Sequence, residues 1–171
     1  ERGETTKFVL DGMLGKLTRW LRMMGHDAVY MNDARDQDLV AKAVKDNRVL
    51  LTSDVALFRY ATARGADAYL VKGRTEAERL ASLASRFKLD LAVNTTESRC
   101  PTCGSSLSAA SKEDVRGKVP ATTFNVFDEF WICSNPECGK VYWQGSHWEN
   151  IGAVLEKARK IRSANEKENR D

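Results

Sequence analysis

Histidine is nearly absent from this 171-residue chain: His26 and His147 are the only two. A mechanism built on histidine acid–base work has little to draw on, so the chemistry must be sought among carboxylates, cysteines and cations. No apolar run approaches the roughly 18 residues that a membrane-spanning helix needs. A secretory signal pattern is missing as well, so the expected setting is a reducing cytoplasm, with no membrane partner. Internal repeats and low-complexity tracts are also lacking. Nor does charge of one sign dominate. Lys and Arg number 27 against 24 Asp and Glu, and the resulting +3 does not by itself mark a nucleic-acid binder.

What is present is a hydrophobic fraction of 42%, enough for a core. The length fits one compact domain plus a small appendage. Residues 7–11 read as a short buried strand. Over 13–24, Met13, Leu14, Leu17, Trp20, Leu21 and Met24 recur at helical spacing, and Gly25 ends the run. A strand at 28–31 follows, then a helix at 36–47 with Leu39, Val40, Ala43 and Val44 inward. Residues 49–52 form the clearest strand. A helix at 54–64 is stopped by Gly65, a strand covers 68–71, and a helix covers 75–87, where Thr75 and Glu78 have capping-box spacing. This alternation predicts a parallel, three-layer α/β sheet with right-handed connections.

The texture changes after Asn94. Residues 95–150 hold all four cysteines and three of the four tryptophans without regular periodicity, and 151–168 return to a charged helical pattern. The expected division is an α/β domain at 1–94, a zinc ribbon at 95–150 and a charged C-terminal helix or tail at 151–171. Net charge runs +3 over 1–95, −2 over 96–150 and +2 over 151–171.

The cysteines are spaced Cys100-Pro-Thr-Cys103-Gly and Cys133-Ser-Asn-Pro-Glu-Cys138-Gly. Two close pairs separated by a long insert can wrap one tetrahedral Zn²⁺, and a glycine after each pair suits the tight turn toward the thiolates. In a reducing compartment such pairs read as metal ligands before disulfides. Four protein thiolates leave no position for water, so the expected zinc is structural.

Asp11 ends the first strand, Asp36 and Asp38 follow the second, and Asp54 follows the third. In an open parallel sheet the carboxyl ends of all strands share one edge, where ligand sites form. Converging carboxylates repel unless a cation such as Mg²⁺ or Mn²⁺ joins them, and such an ion activates water beside a phosphoryl group. Asp is also a favoured helix cap, so from spacing alone these junction aspartates read equally as caps and as metal ligands.

Residues 11–25, DGMLGKLTRWLRMMG, resemble the opening signature of the Mut7-C RNase domain family, PIN-like proteins with a fused zinc ribbon. Residues 49–54, VLLTSD, are similar to that family's third-strand motif, and 138–148, CGKVYWQGSHW, to the end of its ribbon. The resemblance covers roughly 7–150. It implies a PIN-like nuclease fold, metal-dependent RNA cleavage, and Asp11, Asp36 and Asp54 as an acidic cluster holding Mg²⁺ or Mn²⁺, with Asp38 as a fourth. Related chains often carry a basic residue where this one has Ser53, and some carry a further acid where this one has Ala56. RNA is the expected partner, free or within the ribosome or another ribonucleoprotein.

Lys16, Arg19 and Arg22 recur every three residues near Asp11 and read as phosphate contacts or as a solvated helix face. Tyr142, Trp143, His147 and Trp148 cluster past the last cysteine. Aromatics can stack on unpaired bases, but the acidity of this segment favours the small core of a zinc domain. Gly12-Met-Leu-Gly15-Lys16 mimics a phosphate loop without its spacing. Two other readings are a non-catalytic zinc-ribbon adaptor that docks on RNA or a ribonucleoprotein, and a phospho-receiver domain. The second is disfavoured because Gly12 stands where that fold pairs a second acid.

Overall fold

The structure is a computed structural model and describes residues 5–170, so the outermost ends of the first and last expected segments lie outside it. Four parallel strands, β1 (Phe8–Asp11), β2 (Ala28–Met31), β3 (Val49–Thr52) and β4 (Ala68–Leu70), form one sheet in the order β2-β1-β3-β4. The central strands β1 and β3 are buried at every residue. That is why they read as continuous apolar runs rather than alternating ones.

Alternate residues of these strands feed two cores. Phe8, Leu10, Val49 and Leu51 face one side with Leu14, Leu17 and Leu21. Those leucines come from a 3₁₀ turn (Gly12–Leu14) and helix α1 (Gly15–Met23). Val9 and Leu50 face the other side, against α2 (Asp36–Lys45) and α3 (Val55–Ala63). The sheet is therefore the middle of three layers. Val44, expected inward, is 57% exposed. The inward stripe of α2 is Leu39, Val40 and Ala43, and Val44 lies a further 100° around the helix. Helix α4 (Glu76–Phe87) starts with Thr75 accepting from the Glu78 N–H at 3.2 Å while the Glu78 carboxylate accepts from the Thr75 N–H at 3.3 Å, a complete capping box.

The C-terminal helix α6 runs His147–Glu168, so it begins inside the segment expected to be ribbon. It is not a detached tail. Its Leu155 and Ala158 complete the first core beside Leu80 and Leu83 of α4. Arg159 donates to the Leu91 carbonyl at 2.5 Å, and Arg162 to that of Leu89 at 3.2 Å. The cysteine segment is thus inserted between two helices of one core. Its own sheet is antiparallel, with β5 (Leu107–Ala110), β6 (Phe130–Cys133) and β7 (Val141–Tyr142) in that order. A short helix, α5 (Ala121–Val126), lies between β5 and β6. No helix among the described residues is long and apolar enough to cross a membrane.

The insert docks on the C-terminal end of α1. Helix ends leave carbonyls without intrahelical partners. Here the Arg99 N–H donates to the Arg22 carbonyl at 2.8 Å, and the Ser98 hydroxyl to that of Met23 at 2.7 Å.

Candidate active site and metal centre

In the strand order β2-β1-β3-β4 the chain leaves β1 in one direction and returns past it to β3. The reversal falls between β1 and β3, and the crevice at their carboxyl ends is where open α/β sheets bind ligands. Asp11 sits there on β1, almost fully buried. Its Oδ1 accepts from the Met13 N–H at 3.0 Å, and its Oδ2 accepts a short bond from the Thr52 hydroxyl. Thr52 Oγ1 in turn accepts from the Asp54 N–H at 3.0 Å. Asp54 caps α3, with Oδ1 accepting from Ala56 at 2.7 Å and Leu57 at 3.2 Å. Both bonds fall on one oxygen, which leaves Oδ2 for a ligand.

Thr52 is the residue that sequence reading missed. A hydroxyl closing an apolar strand two residues before an acid was the available signal. The β2–α2 loop adds Asn32, whose Oδ1 lies where a Cβ on Gly12 would come within 2.9 Å. Tyr30 donates its hydroxyl to the Gly12 carbonyl at 2.7 Å. Gly12 and Gly15 are thus needed for close approach of Asn32 and Tyr30, in keeping with rejection of a phosphate loop.

Asp36 is exposed on the first turn of α2, whose cap position belongs to the backbone of Arg35. Asp36 is therefore not the helix cap that its junction position suggested. Asp38 is paired in two-pronged fashion with Arg35, at 2.8 and 3.1 Å, and this hydrogen-bonded ion pair holds its carboxyl below the usual range. Among the described residues, four cysteines form the group of metal-type donors whose ligand atoms all lie within 4.8 Å of one another; the aspartates share an edge without that spacing.

Lys16 and Arg19 are exposed. They line a cleft of about 400 Å³ with Tyr30 and Thr102. Arg22 departs from the expected phosphate-binding stripe, because it is only 7% exposed. Successive three-residue steps on a helix fall 60° short of a full turn, so Arg22 lies about 120° around α1 from Lys16. It shares the face of Thr18, four residues earlier and also buried. Its guanidinium donates to the carbonyls of Ala28 at 2.9 Å, and of Pro101 and Thr102 at 3.1 Å each. It ties α1 and β2 to the first cysteine turn. Gly104, at φ +82°, permits this, since a Cβ there would stand 3.0 Å from Arg22 Nε.

No disulfide joins the four cysteines. Cys100 and Cys138 Sγ are 3.8 Å apart, and those of Cys103 and Cys133 are 3.4 Å apart. A disulfide would need about 2.05 Å. Zn–S bonds of about 2.3 Å in a tetrahedron set S···S edges near 3.8 Å, so the donor set fits one zinc ion. Burial raises Cys133 to about 12; it also opposes ionisation of Cys103, which Ser105 and the neighbouring thiols nevertheless hold at about 6. The Tyr142 hydroxyl lies 3.0 Å from Cys100 Sγ, joining β7 to the cluster.

Comparison with known proteins agrees with the motifs. A family model described as the Mut7-C RNAse domain matches residues 6–155. No curated protein and no solved structure matches the chain.

Proposed function

The chain belongs to the Mut7-C RNAse domain family, and on that premise we propose that it is a metal-dependent endoribonuclease cutting RNA phosphodiester bonds at the carboxyl edge of its parallel sheet. The observation that carries this reading is the linked set Asp11–Thr52–Asp54 at the crevice between β1 and β3. Asp11 and Asp54 would hold Mg²⁺ or Mn²⁺, with exposed Asp36 of α2 as a third ligand. The donor set there is oxygen only, which suits these hard cations. A bound ion of this kind supplies an activated water and neutralises charge on the phosphate.

The protein's own contribution is positioning. Met13 and Thr52 fix the Asp11 carboxylate, the α3 cap orients Asp54, and Lys16 with Arg19 hold flanking phosphates. Zinc on the four thiolates is structural, since every coordination position is filled by protein. The substrate is RNA in the cytoplasm, free or within the ribosome or another ribonucleoprotein.

A second reading, a non-catalytic RNA- or ribonucleoprotein-binding adaptor, draws support from the helix-capping work done by Asp54. Asp54→Asn separates the two. Asn caps as well as Asp, so the melting temperature should hold within about 2 °C. An amide is a poorer ligand for a hard cation, so cleavage of single-stranded RNA in Mn²⁺ should fall by about two orders of magnitude or more. RNA affinity without added divalent ions should hold or rise, because a negative charge beside the phosphates is gone. Undiminished cleavage in the variant would overturn the assignment, and binding without cleavage by either protein would establish the adaptor.

A further inference from the structure

A second cleft lies on the far side of the first cysteine turn. Trp131, Tyr142, Trp143, His147 and Trp148 surround it, and it encloses about 80 Å³. The four larger aromatics are half-buried and His147 is exposed. The aromatics of this segment therefore do not close into a filled core; they wall an opening. A single water needs roughly 10–15 Å³ of such space, so the opening takes a group of about six heavy atoms, the ring of a base. Gly145 helps to shape it, since a Cβ there would stand 3.0 Å from Trp143 Nε1.

The net acidity of this segment argued against nucleic acid, yet its acids stay out of the cleft itself: Glu97 lines one adjoining opening, and Asp128 and Glu129 another. No Asp or Glu lines the aromatic cleft, whose cation is Arg99. None lines the basic cleft either, which holds Lys16, Arg19 and Arg22. The two clefts meet at Pro101, which lines both. The basic cleft reaches Gly15 and Tyr30, and Tyr30 bonds to Gly12 next to Asp11. One continuous path thus runs from the acidic edge, past two free cations and over the cysteine turn, to a ring of aromatics. Cations spaced along a groove and aromatic faces at its end are the two elements of single-strand recognition.

We propose that the aromatic cleft between the ribbon and the start of α6 binds an unpaired base of the RNA strand whose backbone lies along Lys16 and Arg19 and whose scissile phosphate lies at Asp11. This rests on the nuclease reading above and adds a recognition site to it. The ribbon then forms one wall of the substrate path and holds the strand at a fixed distance from the cut.

The test uses the full zinc-loaded chain without added Mg²⁺ or Mn²⁺, and two probes: a short oligouridylate and an abasic strand of equal length. Three of the four tryptophans line the cleft, so intrinsic fluorescence reports its occupation. The oligouridylate should quench fluorescence and bind about 5- to 150-fold more tightly than the abasic strand, the range for stacking one base. Trp148→Ala should abolish that preference and retain abasic-strand binding. Lys16→Ala should weaken both probes alike and flatten their salt dependence. Zinc content and melting temperature show whether Trp148→Ala is folded; if it is not, His147→Ala and the wild-type comparison of the two strands decide. Equal affinity for both strands, or an unchanged preference in a folded Trp148→Ala, overturns the proposal and leaves the cleft to a protein partner. Base-dependent binding with no cleavage once Mn²⁺ is added would sink the nuclease reading alone, and cleavage in Mn²⁺ without base preference would sink this one alone.

Discussion

Around the cysteines, two turns bring four sulfurs within 4.8 Å of one another; at the sheet edge, Asp11 and Asp54 are engaged with their own backbone and with Thr52. The difference follows from what each site does for folding. A ribbon with one four-residue, one two-residue and another four-residue strand buries little apolar surface, so its metal site must be assembled by the same contacts that define the fold. The α/β unit has two full cores and needs no ion. Asp54 serves the α3 cap with one oxygen and offers the other, while both oxygens of Asp11 are held by Met13 and Thr52.

Removing the cysteine site is the harshest way to break this comparison. In Cys103→Ser, hydrogen exchange should show residues 95–146 losing protection while β1 to β4 keep theirs, because structural zinc contributes on the order of 10 kcal/mol to folding. Elemental analysis of the wild type should give one zinc per chain. A ribbon that stays protected without metal would erase the distinction between the halves.

Arg22→Ala probes the joint between them. Three carbonyls lose a charged donor, so stability should fall by roughly 3 kcal/mol, about 6–12 °C in melting temperature, with zinc retained. Weakened RNA binding at an unchanged melting temperature would instead return Arg22 to the phosphate-contact role its spacing first suggested.

The smallest effect sharpens the acidic side. Asp38 is held by Arg35 on an exposed turn. Cleavage by Asp38→Asn should therefore stay within about twofold of wild type, as expected when an exposed pair is lost. A loss comparable to that of Asp54→Asn would make Asp38 a working ligand and return it to the cluster.

The α/β half was legible because its signals are local and redundant: buried strands as apolar runs, leucines at helical spacing, Thr75 and Glu78 as a capping box. The cysteines were legible because thiol chemistry leaves few other uses for such pairs. The ribbon strands were not, since Leu107–Ala110 and Val141–Tyr142 are too short to show a period. The start of α6 was hidden because His147 and Trp148 read as ribbon aromatics. Arg22 misled because a three-residue recurrence looks like a stripe in sequence and is a spiral on a helix. Thr52 escaped notice because its role depends on Asp11, a partner far away in sequence.

Insertion of the ribbon between α4 and α6 ties metal loading to the order in which the chain matures. On a ribosome the sheet emerges first, with the face later covered by Leu155 and Ala158 still open to water. That face closes only after the entire insert has been synthesised. Pinning Cys100 to Cys138 shortens the tether between the two helices by roughly two-thirds, which lowers the entropy cost of closure by about 1 kcal/mol. Zinc uptake would thus act as a modest timer, hastening the moment at which the nascent chain covers the open face of its first core.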